Sequence, residues 1–168
     1  MRISFKPLGL LIAALLLMSG SSIFAEDRAT TEITLEGKAV SINYGRPTLR
    51  GRDLNQLIEV AHVWRLGMNQ ATTLSTKGDL KFGALDVPQG SYSLFAKKTG
   101  VEAWDLIINT QTGQWGTQRD ASTDLGSVPL TVDQGTESVE QFTIELSPGG
   151  KFSMSWGTLR VSVSFTAN

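Results

Sequence analysis

From Thr31 onward the apolar residues of this chain recur at every second position. Ile33 and Leu35 alternate with polar neighbours, and after a break at Gly37 so do Val40, Ile42 and Tyr44; Leu80 and Phe82 repeat the pattern. Towards the C-terminus three such runs follow one another: Phe142, Ile144 and Leu146, then Phe152, Met154 and Trp156, then Leu159, Val161, Val163 and Phe165. A period of two puts one side of a segment in a core and the other in solvent, which is the mark of a half-buried strand. The runs are separated by turn chemistry at Lys77-Gly78, Gln89-Gly90, Thr99-Gly100, Thr112-Gly113, Asp133-Gln134-Gly135 and Pro148-Gly149-Gly150. Short strands with turn signals at this spacing predict an all-β fold, an antiparallel β-sandwich of jelly-roll-like or prealbumin-like kind. The last three runs read as a meander of consecutive strands. Between Trp104 and Asn109 the apolar core Leu106-Ile107-Ile108 is continuous, as expected of a strand covered on both faces. Only Leu54 to Val60 departs from the period: Leu54, Leu57 and Ile58 fall at helical spacing behind Asp53, a residue suited to capping. At most one short helix is therefore expected, packed across an end or open face of the sheets.

The first 25 residues have a different layout. Arg2 and Lys6 precede an apolar stretch of 11 residues, Leu8 to Met18; small and polar residues follow, and Ala25 stands just before Glu26 and Asp27. This is the order of a secretory signal peptide. The apolar stretch is well short of the roughly 20 residues needed to span a bilayer as a helix, so cleavage near Ala25 is favoured over a retained anchor. With no Cys after the apolar core, lipid anchoring of the lipoprotein type is excluded. Residues 1–25 are thus expected to be a signal peptide and residues 26–168 a single domain that works outside the cytoplasm, periplasmic or secreted, with no membrane span left after cleavage. A domain of this size can build a sufficient core without disulfides. It has to, because the chain contains no Cys, which also rules out thiolate catalysis and Cys-ligated zinc. Of 15 Lys and Arg, Arg2 and Lys6 leave with the signal, so 13 face 16 Asp and Glu. A phosphate-backbone binder carries a basic excess; nucleic acid is not an expected partner.

Two irregular segments concentrate chemistry. Tyr44-Gly45-Arg46-Pro47 runs into Arg50-Gly51-Arg52, three arginines within seven residues. Pro47 biases Arg46 towards an extended backbone, and arginine forks hold carboxylate or phosphate through paired N–H groups. These arginines either form an anion site or pair with the protein's own Asp and Glu to lace a loop to the sandwich. The second segment is Val63-Trp64-Arg65-Leu66-Gly67-Met68-Asn69-Gln70-Ala71-Thr72. It offers an indole for stacking, a charge on Arg65 and two-way hydrogen bonding on Asn69. Alternatively Trp64 fills the core while Arg65 and Asn69 tie down a long connection whose backbone needs partners. A third segment, Val87-Pro88-Gln89-Gly90-Ser91-Tyr92, reads as structural, with the Tyr92 hydroxyl bonding backbone at a corner of the sandwich. Trp115, in Gln114-Trp115-Gly116 after a glycine turn, is expected at a rim.

Catalytic patterns are sparse. His62 is the only histidine, no Gly-x-Ser-x-Gly elbow is present, and no paired-His spacing for zinc occurs. No catalytic, metal or cofactor site is assigned. Asp53 with Glu59, or Asp120 with Asp124, are near-paired carboxylates of the sort glycoside hydrolysis uses, although solvated surface is the simpler account of them.

Taken in order, Tyr44 to Arg52, Val63 to Thr72, Val87 to Phe95, Trp104 to Asn109 and Gln114-Trp115-Gly116 resemble a family of bacterial secreted proteins known as domain of unknown function 2911. The family's Arg-Pro…Gly-Arg element falls on Arg46, Pro47, Gly51 and Arg52. Its Val-Trp-Arg-x-Gly-x-Asn-x-Ala-Thr element falls on Val63, Trp64, Arg65, Gly67, Asn69, Ala71 and Thr72. Where the family often has a Pro-Tyr-Gly-like turn, this chain has Val60-Ala61-His62, so His62 is not carried over as a family residue. The resemblance implies an extracytoplasmic β domain and no particular activity. With the residues above, it marks Arg46, Arg52, Trp64, Arg65 and Asn69 as the candidate ligand-binding set. The leading expectation is a non-catalytic binding module for a small anionic ligand or envelope component. The alternatives are an envelope glycan-acting enzyme using loop carboxylates, and a structural envelope protein whose arginines only hold loops.

Overall fold

The computed structural model describes residues 27–168; the expected signal peptide lies outside the described residues. Ten strands follow in chain order: β1 (Arg28–Leu35), β2 (Lys38–Gly45), β3 (Val63–Trp64), β4 (Thr72–Thr76), β5 (Leu80–Phe82), β6 (Leu85–Val87), β7 (Gly90–Gly100), β8 (Ala103–Asn109), β9 (Asp124–Ser147) and β10 (Lys151–Ala167). Every pairing between them is antiparallel, in the spatial order β1-β2-β4-β7-β8-β9-β10-β5-β6, with β3 beside β7. The fold is all-β, as the alternation of the sequence requires.

The two layers are arms of one continuous sheet, joined through the long strand β9. Its first residues pair with β8, in register from Trp104↔Leu130 to Asn109↔Asp124. The remainder pairs with β10, from Ser162↔Thr131 to Lys151↔Ser147. One apolar cluster takes side chains from both arms. Tyr44 of β2 meets Phe142 of β9 edge-on, with ring centroids 5.7 Å apart, and its hydroxyl donates to the Ile144 carbonyl at 3.1 Å. Phe142, Phe152 and Phe165, all from alternating runs, are at most 1% exposed.

Two expectations about turns are corrected. The last three apolar runs form a two-stranded hairpin and not a three-stranded meander, because the chain passes from Trp156 to Leu159 without reversing. Gly157 sits there at φ +57°, and the register with β9 shifts on either side of it. A glycine bulge re-aims a strand without ending it. Asp133-Gln134-Gly135 likewise lies inside β9; Gly135 is the residue against which the Arg160 guanidinium packs, a Cβ there standing 2.8 Å from Cζ.

The continuous run in β8 is covered on both faces, as expected. Leu106 and Ile108 enter the main core, whereas Ile107 joins Phe95 and Ala71 in a second cluster. The Arg119 guanidinium lies over the Phe95 ring, 5.7 Å from its centroid, and pairs with Asp124. The expected helix is a single turn, α1 (Leu54–Leu57), followed by the buried Ile58. Residues 48–62 form a strap across the two arms. One end is held by Leu49 N–H donating to Glu140 O at 2.9 Å, the other by Ala61 N–H donating to Lys98 O at 2.7 Å. Lys98 Nζ also donates to Ile58 O at 3.1 Å. Among the described residues no helix is long and apolar enough to cross a membrane.

The corner at Tyr92 forms as its sequence suggests, with the hydroxyl donating to Pro88 O at 2.7 Å. Burial, then the negative charge of Asp79, raises the phenol's pKa above its ordinary value. The neutral phenol is thus the form the fold favours. Its contribution is complete below the unfolded pKa of about 10 and is lost as pH rises through the higher folded value. Tyr92→Phe is expected to cost about 0.5–1.5 kcal/mol at neutral pH and to flatten the alkaline decline in stability. Urea unfolding of both proteins on either side of pH 10 checks this; equal alkaline slopes would contradict it.

Candidate functional site

A cleft of about 440 Å³ opens beneath the strap. The strap supplies Arg52, Leu57, Ile58 and His62, and Pro47 stands just before it; β3 and the loop after it supply Trp64, Arg65 and Met68; β10 supplies Trp156. Trp64 and Trp156 stack with centroids 5.4 Å apart and planes 13° from parallel. Both are nearly buried. Phe142 holds both edge-on, at 5.0 Å from Trp64 and 5.9 Å from Trp156. The Trp156 indole N–H donates to Glu140 O at 3.2 Å, which fixes its ring in the plane it has.

The loop from Leu66 to Asn69 owes its shape to positive backbone angles: φ is +47° at Leu66, +148° at Gly67 and +59° at Asn69. Glycine and asparagine tolerate such angles; a leucine there is strained. The strain is held by two ties, Thr72 Oγ1 donating to Leu66 O and Gly116 N–H donating to Asn69 O at 2.8 Å. The second tie belongs to a bridge between Gln70 and Trp115, extended by Ala71 N–H donating to Gln114 O at 3.0 Å. Gly116 then lies under the stem of Arg65. A Cβ on Gly116 would come within 2.7 Å of Arg65 Cβ and Cδ, so glycine is what lets the arginine lie flat across this loop.

Arg52 and Arg65, the arginines of the cleft, are in no ion pair with an Asp or Glu among the described residues. Lys81 pairs with Asp86 and Arg119 with Asp124, and neither pair touches Arg46, Arg52 or Arg65. Arg52 is exposed and anchored on backbone, Nε donating to Leu49 O at 2.8 Å and Nη2 to Thr48 O at 2.7 Å. Arg65 is half-buried, and no described residue hydrogen-bonds its guanidinium. No Asp or Glu stands among the residues lining the cleft.

Of the five candidate residues, the structure brings Arg52, Trp64 and Arg65 to this cleft and leaves Arg46 and Asn69 out of its lining. Arg46 donates its backbone N–H to Asp27 O at 2.8 Å, and its Nε is buried without a hydrogen-bond partner. Asn69 acts through its backbone: its carbonyl receives Gly116, and its residue type suits the left-handed angle. Sequence reasoning missed His62, Met68 and Trp156 as cleft residues. Trp156 carried only the signal of an ordinary core position in an alternating strand; His62 stood out only as a lone catalytic or metal histidine, and Met68 stood unremarked inside the Val63–Thr72 segment. Of the near-paired carboxylates, Asp120 and Asp124 are elsewhere, and Asp53 and Glu59, on the strap, are not among the residues lining the cleft. Asp120 accepts from Ser122 Oγ at 2.7 Å and Ser122 N–H at 2.9 Å. Those bonds, with the charge of Arg119, lower its pKa. Asp124 pairs with Arg119 and accepts from Asn109 Nδ2 at 2.7 Å. Both secure the excursion between β8 and β9.

A second cavity, of about 210 Å³, lies on the other side of α1, where Arg52, Asp53 and Lys98 meet Trp104. Lys98 stands 5.9 Å from the centroid of the Trp104 ring.

The sequence profile of the family described as Protein of unknown function (DUF2911) matches residues 26–165. The chain belongs to this family. Neither the curated proteins nor the solved structures contain a significant match to it. In this DUF2911 chain the five sequence elements of the family resemblance divide between site and frame. The Tyr44–Arg52, Val63–Thr72 and Gln114–Gly116 elements meet around the cleft. Val87–Phe95 carries the tyrosine corner, and Trp104–Asn109 is the strand buried on both faces.

Proposed function

We propose that the protein is an extracytoplasmic binding module that holds an anionic ligand, or an anionic group of an envelope partner, in the cleft beneath the strap. One observation carries this reading: Arg52 and Arg65 line a concave wall that contains no carboxylate, and Arg65 has no partner among the described residues. A half-buried guanidinium has lost part of its hydration, and an incoming oxyanion supplies the charge-assisted hydrogen bonds it lacks. Trp64 and Trp156 give the bound group a rigid floor. His62 adds a third nitrogen-bearing side chain at the same wall.

The stability of the fold and the binding of an anion separate at Arg65. Because no carboxylate is left stranded, Arg65→Gln is expected to change stability by no more than about 0.5 kcal/mol. Breaking a buried pair would instead cost about 3–5 kcal/mol. Thermal melts of wild type and Arg65→Gln, with and without a panel of carboxylates, phosphates and anionic sugars, test both points. A ligand that binds the native state raises the melting temperature in proportion to its saturation. The expected result is a rise in the wild type that is lost in Arg65→Gln. A large drop in the mutant, with no anion shifting the wild type, would leave Arg65 as a structural tie.

The extracytoplasmic setting rests on the layout of residues 1–25. The exported protein is expected to begin at, or within two residues of, Glu26. Intact mass of the extracytoplasmic fraction decides; a mass that retains Met1 to Ala25 overturns it.

A further inference from the structure

We infer that the occupant of the cleft is a monoanionic amphiphile: a single oxyanion head, carboxylate above all, on a compact apolar body of ring size. This inference rests on the anion-binding reading and narrows it. The cleft, at about 440 Å³, is far larger than a bare anion needs, since one water takes up about 30 Å³ of the liquid. It falls in the range of cavities that enclose small organic molecules, about 300–1,000 Å³.

The wall is unevenly divided. Its fixed charge sits on Arg52 and Arg65, with His62 and Thr117 as its other polar side chains, whereas Leu57, Ile58, Val63, Trp64, Met68 and Trp156 present hydrocarbon, sulfur or indole. A ligand with charges spread along its length, such as an anionic glycan, would set most of its further charges and hydroxyls against the apolar side chains, with only His62 and Thr117 as further polar side chains to meet them, and would lose water there. A ligand with one charged end has no such conflict. The head exchanges water for the guanidinium N–H groups, and the body covers the apolar wall.

Ring size follows from the floor. Trp64 and Trp156 are locked in a stack by Phe142 and by the Trp156 hydrogen bond to Glu140 O. With Trp64 8% and Trp156 4% exposed, a bound body meets only their edges, and a flat or cyclic body makes the most of such edge contacts. Met68, with its flexible thioether, adapts to the outline of what is bound.

Wild-type protein titrated with a ladder of probes tests this, followed by tryptophan fluorescence and calorimetry. The probes are 2-naphthoate, its neutral counterpart 2-naphthalenemethanol, dodecanoate, acetate and inorganic phosphate. The expected result is saturable binding of 2-naphthoate, with each of the other four at least about tenfold weaker, a factor equal to roughly 1.4 kcal/mol. Arg65→Gln should weaken 2-naphthoate about tenfold, to the level of the neutral probe. Leu57→Ser, at a position 37% exposed, should weaken 2-naphthoate and leave acetate unchanged. Melts establish that both variants fold, and the wild-type ladder decides without them. Acetate or phosphate binding as tightly as 2-naphthoate, in an Arg65-dependent way, would overturn the amphiphile and leave the anion reading standing. Dodecanoate binding more tightly than 2-naphthoate would overturn the ring-sized body. Equal binding of 2-naphthalenemethanol and 2-naphthoate would overturn the anion reading and this inference with it, as would no binding by any probe.

Discussion

Trp64→Ala is expected to destabilise the protein by about 3–5 kcal/mol, the usual cost of deleting a buried aromatic side chain. Strand β3 is only two residues long, so its own pairing with β7 contributes little to holding it in place. What anchors it is the indole. Trp64 stacks on Trp156 of β10 at 5.4 Å and takes the edge of Phe142 of β9 at 5.0 Å. Phe142 in turn meets Tyr44 of β2. Four rings therefore join the two arms of the sheet, and Trp64 is the member that reaches β10 from the first arm. Alanine leaves a void the neighbours cannot readily fill, because Phe142 and Trp156 pack against each other and the Trp156 indole N–H is bonded to Glu140 O. Urea unfolding measures the loss, and a cost below about 1 kcal/mol would show that the strap and β3 stand without this ring. Trp64→Phe retains part of the stack and should fall between wild type and alanine. It is the better variant for binding work, since it thins the cleft floor without opening the core.

Much of the frame was legible because its cause is local. Each half-buried strand needs apolar residues on one side only, and Val40, Ile42 and Tyr44 or Phe152, Met154 and Trp156 could hardly satisfy that in another secondary structure. The tyrosine corner was legible for the same reason, its donor and acceptor being four residues apart. What lay hidden depends on residues remote in sequence. Gly157 and Gly135 carry the same letter as the turn glycines. Whether a glycine reverses the chain or lets a strand bend past it depends on what stands opposite, Leu49 in one case and Arg160 in the other. The cleft is of this kind too. Arg52, Arg65 and Trp156 come from the strap, a loop and a distant strand, and nothing in their local sequence says that they share a wall. The partners of the arginines were equally unreadable. Sixteen acidic residues offered ample opportunity for pairing, and only the folded chain shows Arg119, not Arg65, taking such a partner. Gly116 is the instructive intermediate. The family resemblance singled it out inside Gln114-Trp115-Gly116, and its physical role, a bare surface on which Arg65 rests, required the bridge between Gln70 and Trp115 to be seen.

Gly45→Ala should have the next largest effect on the fold and a direct effect on the cleft. Gly45 ends β2 and is buried. A Cβ there would stand 2.5 Å from Met68 O, 2.9 Å from Met68 Cγ and 3.1 Å from Met68 N. The close approach is reciprocal, since a Cβ on Gly67 would lie 2.9 Å from Gly45 O. Two glycines thus let the backbone of the Leu66–Asn69 loop lie directly on the end of β2. The flexible end of Met68 could turn aside, but its carbonyl and amide cannot move without the loop. That loop is pinned on its far side by Thr72 to Leu66 O and by Gly116 to Asn69 O. Alanine must therefore push the loop outward against those ties, an overpacking that costs about 1–3 kcal/mol. For a domain of this size the melting temperature should fall by at least about 2 °C for each kcal/mol lost. Because Gly67 and Met68 line the cleft and Arg65 enters the same loop, anion binding should weaken as well, although no group that would meet the anion has been changed. That joint loss is the diagnostic outcome. An unaltered melting temperature would mean that the loop yields freely, and a lowered one with undiminished anion binding would place the ligand away from this wall.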